Sequence, residues 1–363
     1  MLVGTQALGA AGGVLIARFV APGRSRRLVI IGGGLVVGLG IGGILVFDAF
    51  VPLAISATLV GLGGIVASSS GLALLADATA AHARSSRFGQ QIALGTMAAF
   101  TASVLAGALA APVASLLGAR ESDPLTLRAL VGLGGVVGAI SVVPVILIRD
   151  VPVPTATTAR ASHLLLRFAP IEIVFGFGAG SFIPFTNLFF ADRFHLSYGP
   201  IGLALGTIAV AGSLGALLHG RVVASRLGPV RGTAAVEFSS LPFALAAILS
   251  GDVIFAVAFL ALRALLMYGA QPTWSSYTLS SFRPAERAAV NATLALTWSI
   301  GAAISSAMSG AIRGALGPEG FSVNMIVLVA CYALGALLVL LLFRGHEPAG
   351  DTPVAPAWPA PAD

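Results

Sequence analysis

The chain has 363 residues, of which 57% are hydrophobic and only 9% charged, with Lys+Arg 20 against Asp+Glu 14 and a mean hydropathy of +0.98. So few charges cannot cover the surface of a water-soluble fold of this length, so the formal charge of +6 carries no nucleic-acid reading. The single cysteine, Cys331, excludes an internal disulfide or a cysteine metal site and reads as a small packing residue.

About 20 apolar residues cross a hydrocarbon core of about 30 Å as a helix. Eleven such runs follow one another, near 2–17, 28–47, 51–76, 90–117, 127–148, 165–190, 198–220, 233–250, 253–278, 288–316 and 321–343. The first has no basic stretch ahead of it and no small-residue cleavage pattern after it, so it reads as a span and not as a signal peptide. It runs into "RFVAPGRSRR" (18–27), where Arg18, Arg24, Arg26 and Arg27 crowd one short turn. The second run holds "GLGIGG" (38–43), which fits the dinucleotide fingerprint in letters only. A strand-turn-helix context is missing, and Gly34, Gly38 and Gly42 instead suggest a small-residue stripe for helix contact. Residues 344–363, rich in Pro and Ala, have no apolar core to join and read as a disordered tail.

All 20 positive charges are arginine, and they favour alternate gaps. Fifteen fall in the gaps at 18–27, 84–87, 149–167, 221–231 and 283–287 and at Arg344, against four at Arg120, Arg128, Arg193 and Arg313. Cytoplasmic loops carry the excess of arginine, so the first set and the C-terminus face the cytoplasm of a plasma (inner) membrane. The run "GTQALGAAGGVLIARFVA" (4–21) parallels "GTIAVAGSLGALLHGRVVA" (206–224), and 87–103 parallels 287–303. The offset of about 200 residues predicts a duplicated carrier with its halves joined near 149–163. The second half has a span, 165–190, with no counterpart ahead of residue 2, so a twelfth helix is expected at the front, lost to a misplaced start or to truncation.

Over its whole length, less that first helix, the chain resembles the major facilitator superfamily. The turn at 13–27 sits where that family carries G-x-x-x-D-R-x-G-R-R, with Gly13, then Ala17 in place of the aspartate, then Arg18. "FGAGSFIPFTNLFFADRF" (177–194), "LRALLMYGAQPTWSSYTL" (262–279) and "ERAAVNATLALTWSIGAA" (286–303) are similar to a bacterial subgroup of it. The antiporter run of the family's fifth helix is reduced to "AGALAAPVASLLG" (106–118). The resemblance implies an all-α integral membrane fold of two pseudo-symmetric helical bundles. It divides the chain into an N-terminal bundle (1–148), a cytoplasmic central loop (149–163), a C-terminal bundle (164–343) and the tail (344–363). It implies a monomeric secondary transporter of a small molecule, coupled to protons, an exporter, with no cofactor, no metal and no catalytic residues. An uncoupled facilitator and a truncated remnant without transport are the competing readings.

The candidate site residues come from the apolar runs themselves. Arg263 lies about eleven residues into its span, where an unpaired charge costs several kcal/mol or more, so it reads as an anchor for an anionic substrate group or a counter-charge in coupling, with a structural arginine satisfied by helix carbonyls as the alternative. Met267, Ala270 and Trp274 follow on its helix face, and Trp274 is a candidate lining residue. Glu172, a turn or two inside the cytoplasmic end of its span, is the candidate proton carrier, and Arg167 is near enough to pair with it. On ideal helices it lies about 10 Å from the depth of Arg263, too far for a simple pair. Pro184 with Gly178 and Gly180 predicts a kinked or broken helix, a hinge that lets Asn187 meet substrate. Arg18, Arg24, Arg26 and Arg27 are the candidate cytoplasmic gating loop.

Overall fold

A computed structural model describes residues 5–6, 9, 12–13, 25–77, 79, 84–147, 163–222, 224–282 and 287–343. Backbone amides in lipid have no water to bond with, so each apolar run satisfies its own groups as a helix. The described helices are α1 (Arg26–Val46), α2 (Phe50–Asp77), α3 (Arg84–Leu117), α4 (Pro124–Ser141), α5 (Val143–Leu147), α6 (His163–Phe182), α7 (Thr186–Phe194), α8 (Tyr198–Val222), α9 (Ala224–Leu249), α10 (Val253–Ser280), α11 (Arg287–Leu316) and α12 (Gly320–Leu342). No β-strand occurs among the described residues.

Local chemistry sets the boundaries. The Ser25 hydroxyl accepts from the Leu28 amide at 3.2 Å and starts α1, and Pro124 opens α4 where its missing N–H costs nothing. Gly118 at φ +62° closes α3. Pro184 sits in a 3₁₀ turn, Ile183–Phe185, that divides α6 from α7, so the expected break is present. The span expected at 127–148 is one membrane-length stretch, Pro124–Leu147, whose helical ladder is interrupted at Val142 just ahead of Pro144, which has no N–H to continue it. The span expected at 233–250 begins earlier, at Ala224, with a kink where Gly228 takes φ 75° ahead of Pro229.

Nine stretches among the described residues are long and apolar enough to cross a membrane, the last of which takes in both α11 and α12. The turns after α1, α3, α7, α9 and α11 belong to one face. Arg128 on α4 is ion-paired with Asp48 of the α1–α2 turn, Arg193 on α7 donates to the Ser250 carbonyl at 3.3 Å, and Arg313 on α11 pairs with Asp192 on α7. We call this the outer face, after the arginine bias. At the opposite face Arg27 Nη1 donates to the Ile146 carbonyl at 3.2 Å, closing the exposed end of α5. The first apolar run, Arg18, Arg24, the 149–162 segment and the tail fall on or within stretches outside the described residues.

Small residues bring the helices together. A Cβ on Gly33 would meet the Gly63 carbonyl at 2.8 Å, and one on Gly40 the Ser56 carbonyl at 2.6 Å, so α1 and α2 touch backbone to backbone. This corrects the expected stripe: Gly38 and Gly42 face open space and Gly34 meets only Val142, because the α2-facing side of α1 runs through Gly33, Gly40 and Gly43. Helices α1, α2, α4 and α5 pack together with α3, while α6 and α8–α12 form a second group whose apolar core runs from Leu165 to Phe343. The two groups meet along α3 and α8. There Gly107 lies under the Tyr198 carbonyl, Gly202 under the Ser103 carbonyl and Gly206 against the Phe100 ring.

Candidate functional site

Helices α9, α10 and α12 pack side by side, α9 and α10 running antiparallel from the Ser250–Asp252 turn. Arg263 is the eleventh of 23 residues in the Val253–Ser275 span. Glu237 is likewise eleventh of 23 in the Leu227–Leu249 span. At about 1.5 Å per residue both sit close to 15–18 Å from the outer turn, at one depth. Tyr332 lies near the middle of α12. The Arg263 guanidinium stands over the Tyr332 ring, 5.2 Å from its centroid, and interacts electrostatically with Glu237. Arg263 is 7% exposed and Glu237 5%. Glu237 Oε2 and Arg263 Nε and Nη2 are buried without a hydrogen-bond partner. A guanidinium and a carboxyl group therefore share one mid-helix cradle with donors and an acceptor left over.

Sequence reasoning passed over Glu237. A span beginning at 233 puts it only four residues from the inner end, but the kink at Gly228 starts the helix earlier and carries Glu237 to the centre. The signal was available: an acid inside an apolar run, at the depth of the arginine on the neighbouring run.

Glu172 and Trp274 come together, although neither meets Arg263. The Trp274 indole Nε1 donates to Glu172 Oε1 at 3.0 Å. Trp274 is eleven residues beyond Arg263 on α10, so this contact lies about 16 Å nearer the inner face. Its ring is buried in an aromatic plug, 5.4 Å from Phe168 and 5.8 Å from both Tyr277 and Phe343. The expected separation of Glu172 from Arg263 holds, and the carboxylate finds an indole donor.

The glycines around the break in α6 are contact points. A Cβ on Gly176 would meet the Trp298 carbonyl, one on Gly180 the Ala302 backbone, and one on Gly178 Cys331 Cβ at 2.9 Å and Tyr332 Cδ2 at 3.0 Å. Gly178 thereby seats α12 and the Tyr332 ring that carries the Arg263 guanidinium. Pro184 and Asn187 are exposed, so the Asn187 amide is open for contact at the start of α7. Arg26 is buried while Arg27 caps α5. Among the described residues no group of three His, Cys, Asp or Glu side chains could hold a metal ion.

Where α3 ends and α8 begins, an open cavity of about 580 Å³ is lined by Ala111, Ser115, Arg120, Glu121, Ser197 and Tyr198. It lies at the outer end of the α3–α8 seam, across the boundary between the two helix groups.

No family model and no curated protein matches the sequence. Solved structures do match in fold. A bacterial homologue of the iron transporter ferroportin in an outward-facing state is 16% identical, with a TM-score of 0.66 over 93% of this chain and 88% of that one. A bacterial ferroportin homologue in an inward-facing state scores 0.66 at 18% identity, over 94% and 90%. The transporter FucP in an outward conformation scores 0.67 at 12% identity, over 94% and 89%. The human organic anion transporter MFSD10 scores 0.65 at 15% identity, over 93% and 83%. With its all-helical build, its membrane-length spans and these matches, the chain has the fold of the major facilitator superfamily transporters.

Proposed function

We propose that this chain is a secondary transporter that moves a small molecule across the membrane by alternating access, coupled to protons and running in the direction of export. The two units are residues 1–148 and 164–343, joined by the cytoplasmic segment 149–163, in a monomer whose C-terminus lies in the cytoplasm of a bacterial plasma membrane. The observation that carries this reading is the fold. Over more than nine-tenths of its length the chain superposes on bacterial ferroportin homologues in an outward-facing and in an inward-facing state. A chain matching both ends of that cycle fits a mechanism that rocks two helix groups about a central site.

Arg263 supplies positive charge at mid-depth for substrate, Asn187 offers an amide where α6 breaks at Pro184, and Gly178 and Gly180 set how closely α6 can roll on α11 and α12. Glu172, held by Trp274, carries the proton on the inner side. Arg18, Arg24, Arg26 and Arg27 gate the cytoplasmic side. One of the fold neighbours is the E. coli fucose:proton symporter, which supports the coupling ion as a reading. A proteoliposome flux screen across metabolite and drug classes, run with and without a pH gradient, tests it. Substrate flux should fall at least tenfold in Arg263→Ala, and in Glu172→Gln its pH dependence should depart from that of wild type. Full flux in a well-folded Arg263→Ala protein contradicts the site, and wild-type pH dependence in Glu172→Gln removes the carrier role.

A further inference from the structure

We infer that the Glu237–Arg263–Tyr332 cradle is a binding site for an organic monoanion, with Glu237 as the built-in counter-charge that the ligand displaces and that takes up one proton as it does so. This rests on the transport reading for its purpose and deepens it by naming the substrate class. The cradle holds one guanidinium and one carboxyl group that interact electrostatically, both nine-tenths buried. It is not satisfied in hydrogen bonds, since Arg263 Nε and Nη2 and Glu237 Oε2 lack partners. A planar fork with free donors is the group that best receives a carboxylate or sulfonate, which accepts two parallel N–H bonds.

The charge arithmetic then requires the proton. A monoanion on Arg263 leaves Glu237 as a second negative charge in a medium where an uncompensated buried charge is strongly disfavoured. Its neighbours cannot supply the compensation. The titratable and charged groups that interact with Glu237 are Arg263 of α10 and Tyr332 of α12, and the described side chains of α8 inward of Tyr198 include none. Glu172 lies about 16 Å nearer the inner face and is a carboxylate itself. Protonation of the Glu237 carboxyl restores neutrality, the proton coming from water on the side to which the site is open. Anion and proton therefore bind together, and affinity rises as pH falls.

The test uses the full chain in lipid nanodiscs, with thermal unfolding followed in the presence of benzoate, octanoate or benzenesulfonate, and of benzamide and benzenesulfonamide as uncharged counterparts. In wild type at least one of the anions should raise the unfolding midpoint and neither amide should. The affinity should tighten by up to about tenfold per unit fall in pH, the slope for one proton per anion. Arg263→Gln should abolish the shift, and Glu237→Gln should keep binding with an affinity flat in pH. Equal stabilisation by the amides, no shift with any of the three anions, or an unaltered pH slope in Glu237→Gln overturns the inference. A ligand-free arm guards against misfolding. Arg263→Gln and Glu237→Gln should each lower the midpoint by several degrees, and the double variant should unfold above both, because removing both charges leaves none stranded. Additive losses in the double variant also overturn it. If anions bind as predicted but no solute crosses vesicles, the transport reading fails and the cradle stands. Flux that needs Arg263 but ignores Glu237 is the reverse case.

Discussion

A single hydrogen bond shows what the residue scale decides. Trp274 Nε1 donates to Glu172 Oε1 at 3.0 Å, in the midst of Phe168, Tyr277 and Phe343. A bond to a charged acceptor contributes about 1.5–3 kcal/mol, and deleting the donor leaves the carboxylate poorly satisfied. Trp274→Phe keeps the ring and loses the donor, so its unfolding midpoint should fall further than that of Glu172→Gln, which retains an acceptor for the indole. Equal midpoints for the two variants would contradict this role for the bond. At the same scale, Arg263 was legible in the sequence because a charge within an apolar run stands out by itself. Glu237 was not, because its depth depends on where its helix starts, and that is set by a glycine at φ 75° ahead of Pro229. The Trp274–Glu172 pair was hidden as well, since residues 102 apart meet only through the packing of α6 on α10's aromatic end.

Between helices, glycine positions govern how near the backbones come. Gly180 is in contact with the Ala302 backbone and Gly301 with that of Ile173, so α6 and α11 share a seam with no room for a side chain. Gly95, on α3, has nothing within 4 Å. Overpacking at such a seam costs about 1–3 kcal/mol, and more when the obstacle is backbone. Gly180→Val should therefore lower the unfolding midpoint and the yield of monodisperse protein, whereas Gly95→Val should leave both within error; a silent Gly180→Val would show that the seam is loose. Run lengths and proline positions foretold most of the helices and the break at Ile183–Phe185. The face each helix turns to its neighbour was not foretold. Glycines recur every four residues at 34, 38 and 42, yet those in contact are Gly33, Gly40 and Gly43. In lipid both faces of a helix are apolar, so hydropathy carries no signal for the buried side.

At the scale of the whole molecule, the two helix groups meet chiefly along α3 against α8 among the described residues, where Gly107, Gly202 and Gly206 admit the opposite backbone or ring. The outer end of that line opens into the cavity bounded by Ala111 and Ser197, one residue from each side. The group α6 and α8–α12 holds the aromatic core, the Arg263–Tyr332 contact and the Glu172–Trp274 contact together. Alternating access requires that the seam part at one end while it closes at the other. Spin labels at Ala111→Cys and Ser197→Cys, with Cys331→Ser to remove the native thiol, read the separation of the two groups at the outer face. In proteoliposomes the distance distribution should hold two populations, one at the separation seen here and one at another, whose ratio shifts with pH or with a bound anion. A single distance, unchanged under every condition, would contradict transport by rocking of the two groups.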